Sequence, residues 1–286
     1  MRMGSDYRFS PTDLTNYMQS EFITWMDRYA CEHPTEVQPD PDTEEQRIIQ
    51  EKGIEHERAF LDSLHARGRQ VRKFVGVRGH LSETLAAMRR GEEIIYQGYL
   101  EYRDFVGYPD FLFRVDRPSR FGAWSYEPWN TKLARHPKPH FLIQLCAYAD
   151  LLEHLQGVRP NNLRVVLGTN GPGGPATADF RTDDFFFYYE SLKSALLGQQ
   201  STFDARQRPE LPPLTDLGRW TGYAERELLA RDDLQLVANI RSSQIRQLRA
   251  AGIQTVTQLA SAGDVNIPRL ALSARFNSSD VRRASR

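Results

Sequence analysis

Residues 126–152 read YEPWNTKLARHPKPHFLIQLCAYADLL and join a strand-like half to a helix-like half. Side chains alternate across a strand, so Asn130 and Lys132 share one face of the first half. In the second half, Gln144 and Tyr148 are four residues apart and stack on one face of a helix. The segment therefore predicts a strand followed by a helix, with polar side chains offered by both.

The flanking segments extend this unit into a mixed sheet with helices around it. Predicted elements follow in the order helix within 10–30 (Ser10 as N-cap, Pro11 at the first position), helix 43–67, strand 70–77, helix 82–90, strands 93–100, 108–116 and 123–132, helix 137–157, strand 162–169, turn 171–175 and helix 183–198. The order of these elements indicates an α/β (α+β) fold with a mixed central sheet flanked by helices, because a helix and three or four strands are followed by a helix and a strand.

The helix over 43–67 carries a stripe of residues three or four apart that we expect to face inward: Ile49, Gly53, His56, Phe60 and Leu64. A lone inward histidine is more often a satisfied core residue than a metal ligand. Its neighbour Glu57 is expected to be partly solvated.

Asp110 follows a proline near the start of an apolar strand, where aspartate is unusual. Asp110, an oxygen ligand at Asn130 and a cation at Lys132 would suit phosphodiester hydrolysis. Mg²⁺ prefers oxygen ligands and keeps reactive waters, and a lysine can stabilise charge on the phosphate. Alternatives stay open: Asp110 could cap a turn, Asn130 could form one, and Lys132 could be a surface cation. Gln144 and Tyr148 could bind a phosphate or simply lie at the edge of the core.

Bulk composition describes an ordinary globular chain of 286 residues, 40% hydrophobic and 26% charged. No run of about 18 apolar residues predicts a membrane span, and the first residues lack the apolar segment of a secretion signal. The chain has only two cysteines, Cys31 and Cys146, which argues against a disulfide framework or a four-cysteine metal site. We expect a cytoplasmic location.

Charge is unevenly distributed, although the formal net charge is zero. From Arg241 onward there are eight Arg and two Asp, a net charge of +6. Such a basic region suits a nucleic acid or is a solvated helical surface. We predict three parts: a core over 1–198, a linker or strap over 199–231, and a basic module over 232–286 of helix-hairpin-helix type, whose glycine turn could admit a phosphate. Candidates for DNA contact are Arg135, Lys138, Arg246 and Arg249.

Seven stretches in order carry a resemblance that spans most of residues 8–260: FSPTDLTNYM, GIEHERAFLDSL, IIYQGYL, GYPDFLFRVD, YEPWNTKLAR, KPHFLIQLCAYADLL and DDLQLVANI…GIQTVTQLA. Together they resemble the RecB-like branch of the PD-(D/E)XK nuclease superfamily. The likeness is greatest to the N-terminal nuclease domains of bacterial nuclease–helicase fusion proteins. It implies a core like that of restriction endonucleases.

The resemblance also implies roles for individual residues. His56, Asp110 and position 130 would bind Mg²⁺ or Mn²⁺, Lys132 would be the catalytic lysine, and Gln144 and Tyr148 would match the family's Q-x-x-x-Y helix. Many relatives also hold an iron–sulfur cluster through four cysteines. Here Ser20 lies about where the first would be and 211–234 has none, so no cluster is expected.

Asn130 departs from the family, which has Asp in a D-T-K run at this position. An amide keeps the shape of the acid but loses its charge and gains a donor, so metal affinity should fall. Glu57 or Glu127 could compensate, although strand alternation argues against Glu127. We interpret the chain as a metal-dependent DNA nuclease, a hydrolase acting in DNA repair or antiviral (anti-phage) defence with a helicase partner, whose active residue has been changed. The alternatives are a non-catalytic DNA-binding or assembly subunit, or a likeness of fold alone with another substrate.

Overall fold

A computed structural model describes residues 2–3, 6–74, 80–168, 176–212 and 216–262. The chain divides into two units: Met1–Pro34 with Asp42–Arg208, and Thr35–Pro41 with Pro209–Arg286. Among the residues described, no helix is both long and apolar enough to cross a membrane. The predicted turn at 171–175 and the end of the chain from 263 lie outside the described residues.

The first unit holds helices and strands in alternation, as the sequence predicts. Its helices are α1 (Pro11–Gln19), α2 (Glu21–Glu32), α3 (Glu44–Ala66), α4 (Leu81–Arg90), α5 (Pro139–Gln156) and α6 (Asp183–Ser201). Its strands are β1 (Arg2–Met3), β2 (Asp6–Tyr7), β3 (Val71–Lys73), β4 (Ile94–Tyr96), β5 (Leu100–Tyr102), β6 (Phe105–Gly107), β7 (Phe111–Val115), β8 (Ser125–Lys132), β9 (Asn162–Leu167) and β10 (Ala176–Arg181).

Six of the strands form one mixed sheet in the order β10-β9-β8-β7-β4-β3, which confirms the predicted α/β class. β7 runs antiparallel to both β4 and β8, whereas β8 and β9 are parallel. Two small ladders, β1-β2 and β5-β6, lie outside this sheet. Residues 126–152 therefore form most of a central strand, β8, and of the helix α5 that connects it to its parallel neighbour β9.

Apolar side chains bury both faces of the central strands of the sheet. On one face, Tyr126 of β8 joins Leu145 and Cys146 of α5 in the larger core cluster. On the other face, Phe60 and Phe111 belong to a smaller cluster that packs α3 against the sheet. Helices on both faces explain why the strands are rich in apolar residues on both sides.

Two predicted elements are each divided by a polar residue. The helix predicted within 10–30 is two helices, because the Ser20 hydroxyl accepts a hydrogen bond from Phe22 N at 3.2 Å and starts α2 as its N-cap. The strand predicted over 93–100 is interrupted at Gln97, whose φ of 52° is incompatible with a continuous strand.

Helix α3 has nearly the predicted bounds, because Thr43 and Gln46 form a capping box at its start. Its inward stripe is only half correct. Phe60 and Leu64 are buried, but Ile49 is 55% exposed, since none of the residues described in this unit covers it.

The second unit is helical and begins earlier than predicted. It contains α7 (Thr221–Ala230), α8 (Ser242–Ala250), α9 (Val256–Ser261) and two 3-10 helices. The predicted linker or strap over 199–231 has helix at both ends, because α6 extends to Ser201 and α7 is a folded helix. Trp220 is fully buried with its ring edge on Tyr223, and Asp40 accepts a hydrogen bond from Gly222 N at 2.7 Å. The predicted short helices beyond 232 are confirmed as far as residue 262.

Candidate functional site

Antiparallel strands β7 and β8 bring Asp110 and Lys132 to one edge of the sheet, since β7 begins where β8 ends. A cavity of about 590 Å³ opens at this edge. Side chains from α3, from both strands and from the start of α5 line it, among them Ile54, Glu57, Asp110, Thr131, Lys132 and Phe141. The structure thus joins Asp110 and Lys132, as the sequence predicts, and adds Glu57 to them.

Asp110 is held by its neighbour on β8. Its Oδ2 accepts hydrogen bonds from Thr131 N at 2.6 Å and from Thr131 Oγ1 at 3.0 Å. Burial, and then the negative charge of Glu57, raise the pKa of Asp110 to about 6, against the opposing effects of Lys132 and Thr131. A carboxylate with a pKa perturbed by burial and by a second acid, in a cavity, is typical of a functional site.

Lys132 supplies the positive charge of the site. Burial lowers the pKa of its ammonium group, while Asp110 and Glu57 act to raise it. Its Nζ lies 5.4 Å from the centre of the Phe141 ring, so the cation also rests against an aromatic face. The lysine is therefore constrained by both charge and packing, unlike a solvated surface cation.

Asn130 lies beneath these groups with only 1% of its surface exposed. Its Oδ1 accepts a hydrogen bond from Asp110 N at 3.3 Å. Its Nδ2 lies towards the phenol of Tyr148 but makes no hydrogen bond of good geometry. A buried donor without a partner costs about 1–3 kcal/mol, so the amide fits this position poorly.

Gln144 and Tyr148 lie on the predicted shared face of α5, and both side chains meet. The Tyr148 hydroxyl donates to Tyr108 O at 3.0 Å, and the Gln144 side chain lies beside this hydroxyl. Burial raises the pKa of Tyr148. The ring packs so closely on the backbone that a Cβ at Gly107 would lie 2.6 Å from it. Tyr148 thus fixes the floor of the site.

The helix α3 presents Glu57 to Asp110, where the resemblance implies His56. The Nε2 atom of His56 lies 3.4 Å from Val166 O, and the side chain is half-buried. Glu57 accepts a hydrogen bond from Gln97 Nε2 at 2.7 Å and lies beside the Tyr96 phenol, whose pKa is raised by burial and then by this carboxylate.

Glu127, the other possible replacement acid, is directed away from the site. Its Oε1 accepts hydrogen bonds from Asn162 N and Nδ2, both at 3.1 Å. Strand alternation had argued against Glu127 because it places this residue on the Trp129 face of β8. Within the described part of the chain, no three His, Cys, Asp or Glu residues form a group that could hold a metal ion.

Three contributors were missed or underrated by sequence reasoning: Glu57, Thr131 and Gln97. Glu57 had been considered only as a substitute. Thr131 lies on the opposite face of β8 from Asn130, so alternation alone did not suggest that it binds Asp110. Gln97 carries no sequence signal, because left-handed backbone is expected of glycine rather than glutamine.

The candidate DNA-binding residues fall into both units. Arg135 and Lys138 are exposed, and Lys138 lines the cavity. In the second unit, Arg246 is exposed, whereas Arg249 forms an ion pair with Asp233 at 3.0 Å.

The glycine turn of the helical module has its amides occupied. Gly252 N and Ile253 N bond to carbonyl oxygens of α8. Val256 N and Thr257 N bond to the carbonyl and carboxylate of Asp232, so an acid already fills the place that was suggested for a phosphate.

No protein-family model matches the chain, and no curated protein matches it.

Proposed function

We propose that the chain is a metal-dependent DNA nuclease domain of RecB-like type. The observation that carries the proposal is the group of Glu57, Asp110 and Lys132 in one cavity, with the pKa of Asp110 raised and that of Lys132 lowered. The succession α3, β4, β7, β8, α5 and β9 in a mixed sheet supports the PD-(D/E)XK-like core that the resemblance implies.

Glu57 and Asp110 fit Mg²⁺ or Mn²⁺, because both offer anionic oxygens that repel one another until a cation lies between them. Asn130 fits less well, since its oxygen already accepts from Asp110 N and its other terminal atom is a donor. A bound ion would supply Lewis-acid stabilisation of the phosphate and a nucleophilic water.

The residues of the chain have separate tasks in this mechanism. Thr131 holds Asp110 by two hydrogen bonds, so the carboxylate needs no reorganisation when a cation arrives. Lys132 places a positive charge where negative charge develops on the phosphate oxygens. Tyr148 keeps the base of the site in position through the Tyr108 carbonyl, and Gln144 lies beside its hydroxyl.

The test is cleavage of single- and double-stranded DNA with Mg²⁺ or Mn²⁺ by the chain as it stands and by Asn130→Asp. We expect weak cleavage by the former, stronger cleavage by the latter, and loss of both on adding Lys132→Ala. Lys73→Ala, at an exposed position in β3, is the matched control and should change nothing. If Asn130→Asp leaves every DNA intact and Lys132→Ala has no effect on either form, the proposal that the chain is a nuclease is refuted.

Asn130 favours a second candidate, a non-catalytic DNA-binding or assembly subunit that retains the nuclease fold. This candidate predicts DNA binding that depends on neither the metal nor Lys132. The helicase partner and the role in DNA repair or anti-phage defence rest on the resemblance alone, and pull-down with the helicase of a neighbouring gene would test the first.

A further inference from the structure

Gln97 occupies an unusual backbone conformation beside the site. It follows β4 and has a φ of 52°, in the left-handed region that residues with a Cβ avoid. The next residue, Gly98, is confined because a Cβ there would meet Thr84 Cγ2 at 3.0 Å and Ile95 Cγ2 at 3.1 Å. The glutamine is therefore held in place by its surroundings, and strained backbone of this kind concentrates at functional sites.

Two hydrogen bonds join Gln97 to both carboxylate-bearing segments. Its backbone N donates to Asp110 O at 2.9 Å, which fixes the chain where Asp110 enters β7. Its Nε2 donates to Glu57 Oε1 at 2.7 Å. The Tyr96 phenol lies beside Glu57 as well, and burial and then this carboxylate raise its pKa.

We propose that Gln97 is a positioning residue that holds Glu57 against Asp110 so that the two carboxylates can share a divalent cation. The inference rests on the proposed function. Glu57 projects from the part of α3 that borders solvent, and the charge of Asp110 repels it. A neutral amide donor counters this repulsion and leaves both acids charged. A lysine at the same place would instead neutralise one of them. The left-handed backbone is what lets one residue face Asp110 with its N–H and Glu57 with its side chain.

The competing explanation is that Gln97 only forms a turn and has no part in the site. Variants with shorter side chains distinguish the two explanations. Asparagine and glycine both accept left-handed backbone, but neither can reach Glu57. We expect Gln97→Asn and Gln97→Gly to fold with unchanged or higher melting temperature. Both should bind Mn²⁺ about 10-fold or more weakly, the effect usual for residues that orient metal ligands. Electron paramagnetic resonance of free Mn²⁺ measures this affinity without reference to activity, and excess Mn²⁺ should restore cleavage.

The measurements are made on the chain as it stands and on Asn130→Asp, with Glu57→Gln as the positive control and Gln70→Asn, at an exposed position, as the negative one. The inference is overturned, and the proposed function survives, if Glu57→Gln weakens Mn²⁺ binding while both Gln97 variants bind like the parent. It is also overturned if Glu57→Gln has no effect. Absence of Mn²⁺ binding by both parent forms would overturn the inference and the proposed function together.

Discussion

Asp110→Asn should stabilise the folded chain at neutral pH while abolishing metal-dependent cleavage. Burial and Glu57 raise the pKa of Asp110 from 3.8 to about 6. At about 1.4 kcal/mol per pKa unit, keeping this carboxylate charged costs on the order of 3 kcal/mol. Asparagine removes the charge but keeps an oxygen for the two Thr131 donors, so we expect a gain of about 1–3 kcal/mol in unfolding free energy at pH 8.

The sign and the pH window follow from the direction of the shift. Because the folded state holds the proton more tightly than the unfolded chain, the parent loses stability as the pH rises from about 4 to about 6. Above that window the loss is complete. The variant lacks this group, so it should be no more stable than the parent at pH 4. The difference in unfolding free energy should grow between pH 4 and 6 and stay constant to pH 8.

Urea denaturation in EDTA at pH 4, 5, 6 and 8 measures the difference. Asp204→Asn is an opposite control, because hydrogen bonds from Arg206 lower the pKa of Asp204 to about 2. Its removal should not stabilise the protein at any pH in this range. An Asp110→Asn variant that is less stable than the parent at pH 8, or a difference that is equal at pH 4 and pH 8, refutes the account of Asp110.

Three further variants test other parts of the structure by thermal or urea unfolding. Asn130→Asp should gain about 3 kcal/mol in unfolding free energy when the Mg²⁺ concentration is a hundred times the dissociation constant of this variant, and should lose the gain on chelation. The parent should gain less at the same Mg²⁺ concentration. Equal gains in both would contradict a metal site that includes position 130. Gly107→Ala should cost about 2 kcal/mol, because its Cβ would lie 2.6 Å from the Tyr148 ring, while Gly198→Ala, with open space around it, should cost nothing; similar effects of the two would be unexpected. Ser20→Ala should cost about 1 kcal/mol through loss of an N-cap, and Ser20→Asp should restore it; an unchanged midpoint in Ser20→Ala would argue against that cap.

Local chemistry made some elements predictable from the sequence. Helix α3 has a capping box at its start and a glycine just past its end, and both are recognisable in sequence. Strand alternation predicted that Asn130 and Lys132 share one face of β8, which in the structure is the face covered by α5. It also argued against Glu127, which bonds to Asn162. These features depend on residues close in the chain, so the sequence contains most of the information.

Features that depend on packing were not predictable in the same way. Adjacent residues on a helix differ by about 100° in direction, so the rotation of α3 decides whether His56 or Glu57 faces Asp110. That rotation is set by Phe60 and Leu64 against the sheet. Ile49 continues the same apolar stripe, yet this unit leaves it exposed, because periodicity shows which residues could be buried and not what covers them.

Four destabilising features lie together at one edge of the sheet. Asp110 and Lys132 have pKa values shifted against their charged forms, Asn130 has a buried donor without a partner, and Gln97 has left-handed backbone. Features that cost folding free energy in this way are concentrated at functional sites. A surface that only binds DNA would explain Lys132, but two carboxylates beside it would repel phosphates. A cation between Glu57 and Asp110 removes that repulsion, which is why the pair favours a metal-dependent site even with an amide at position 130.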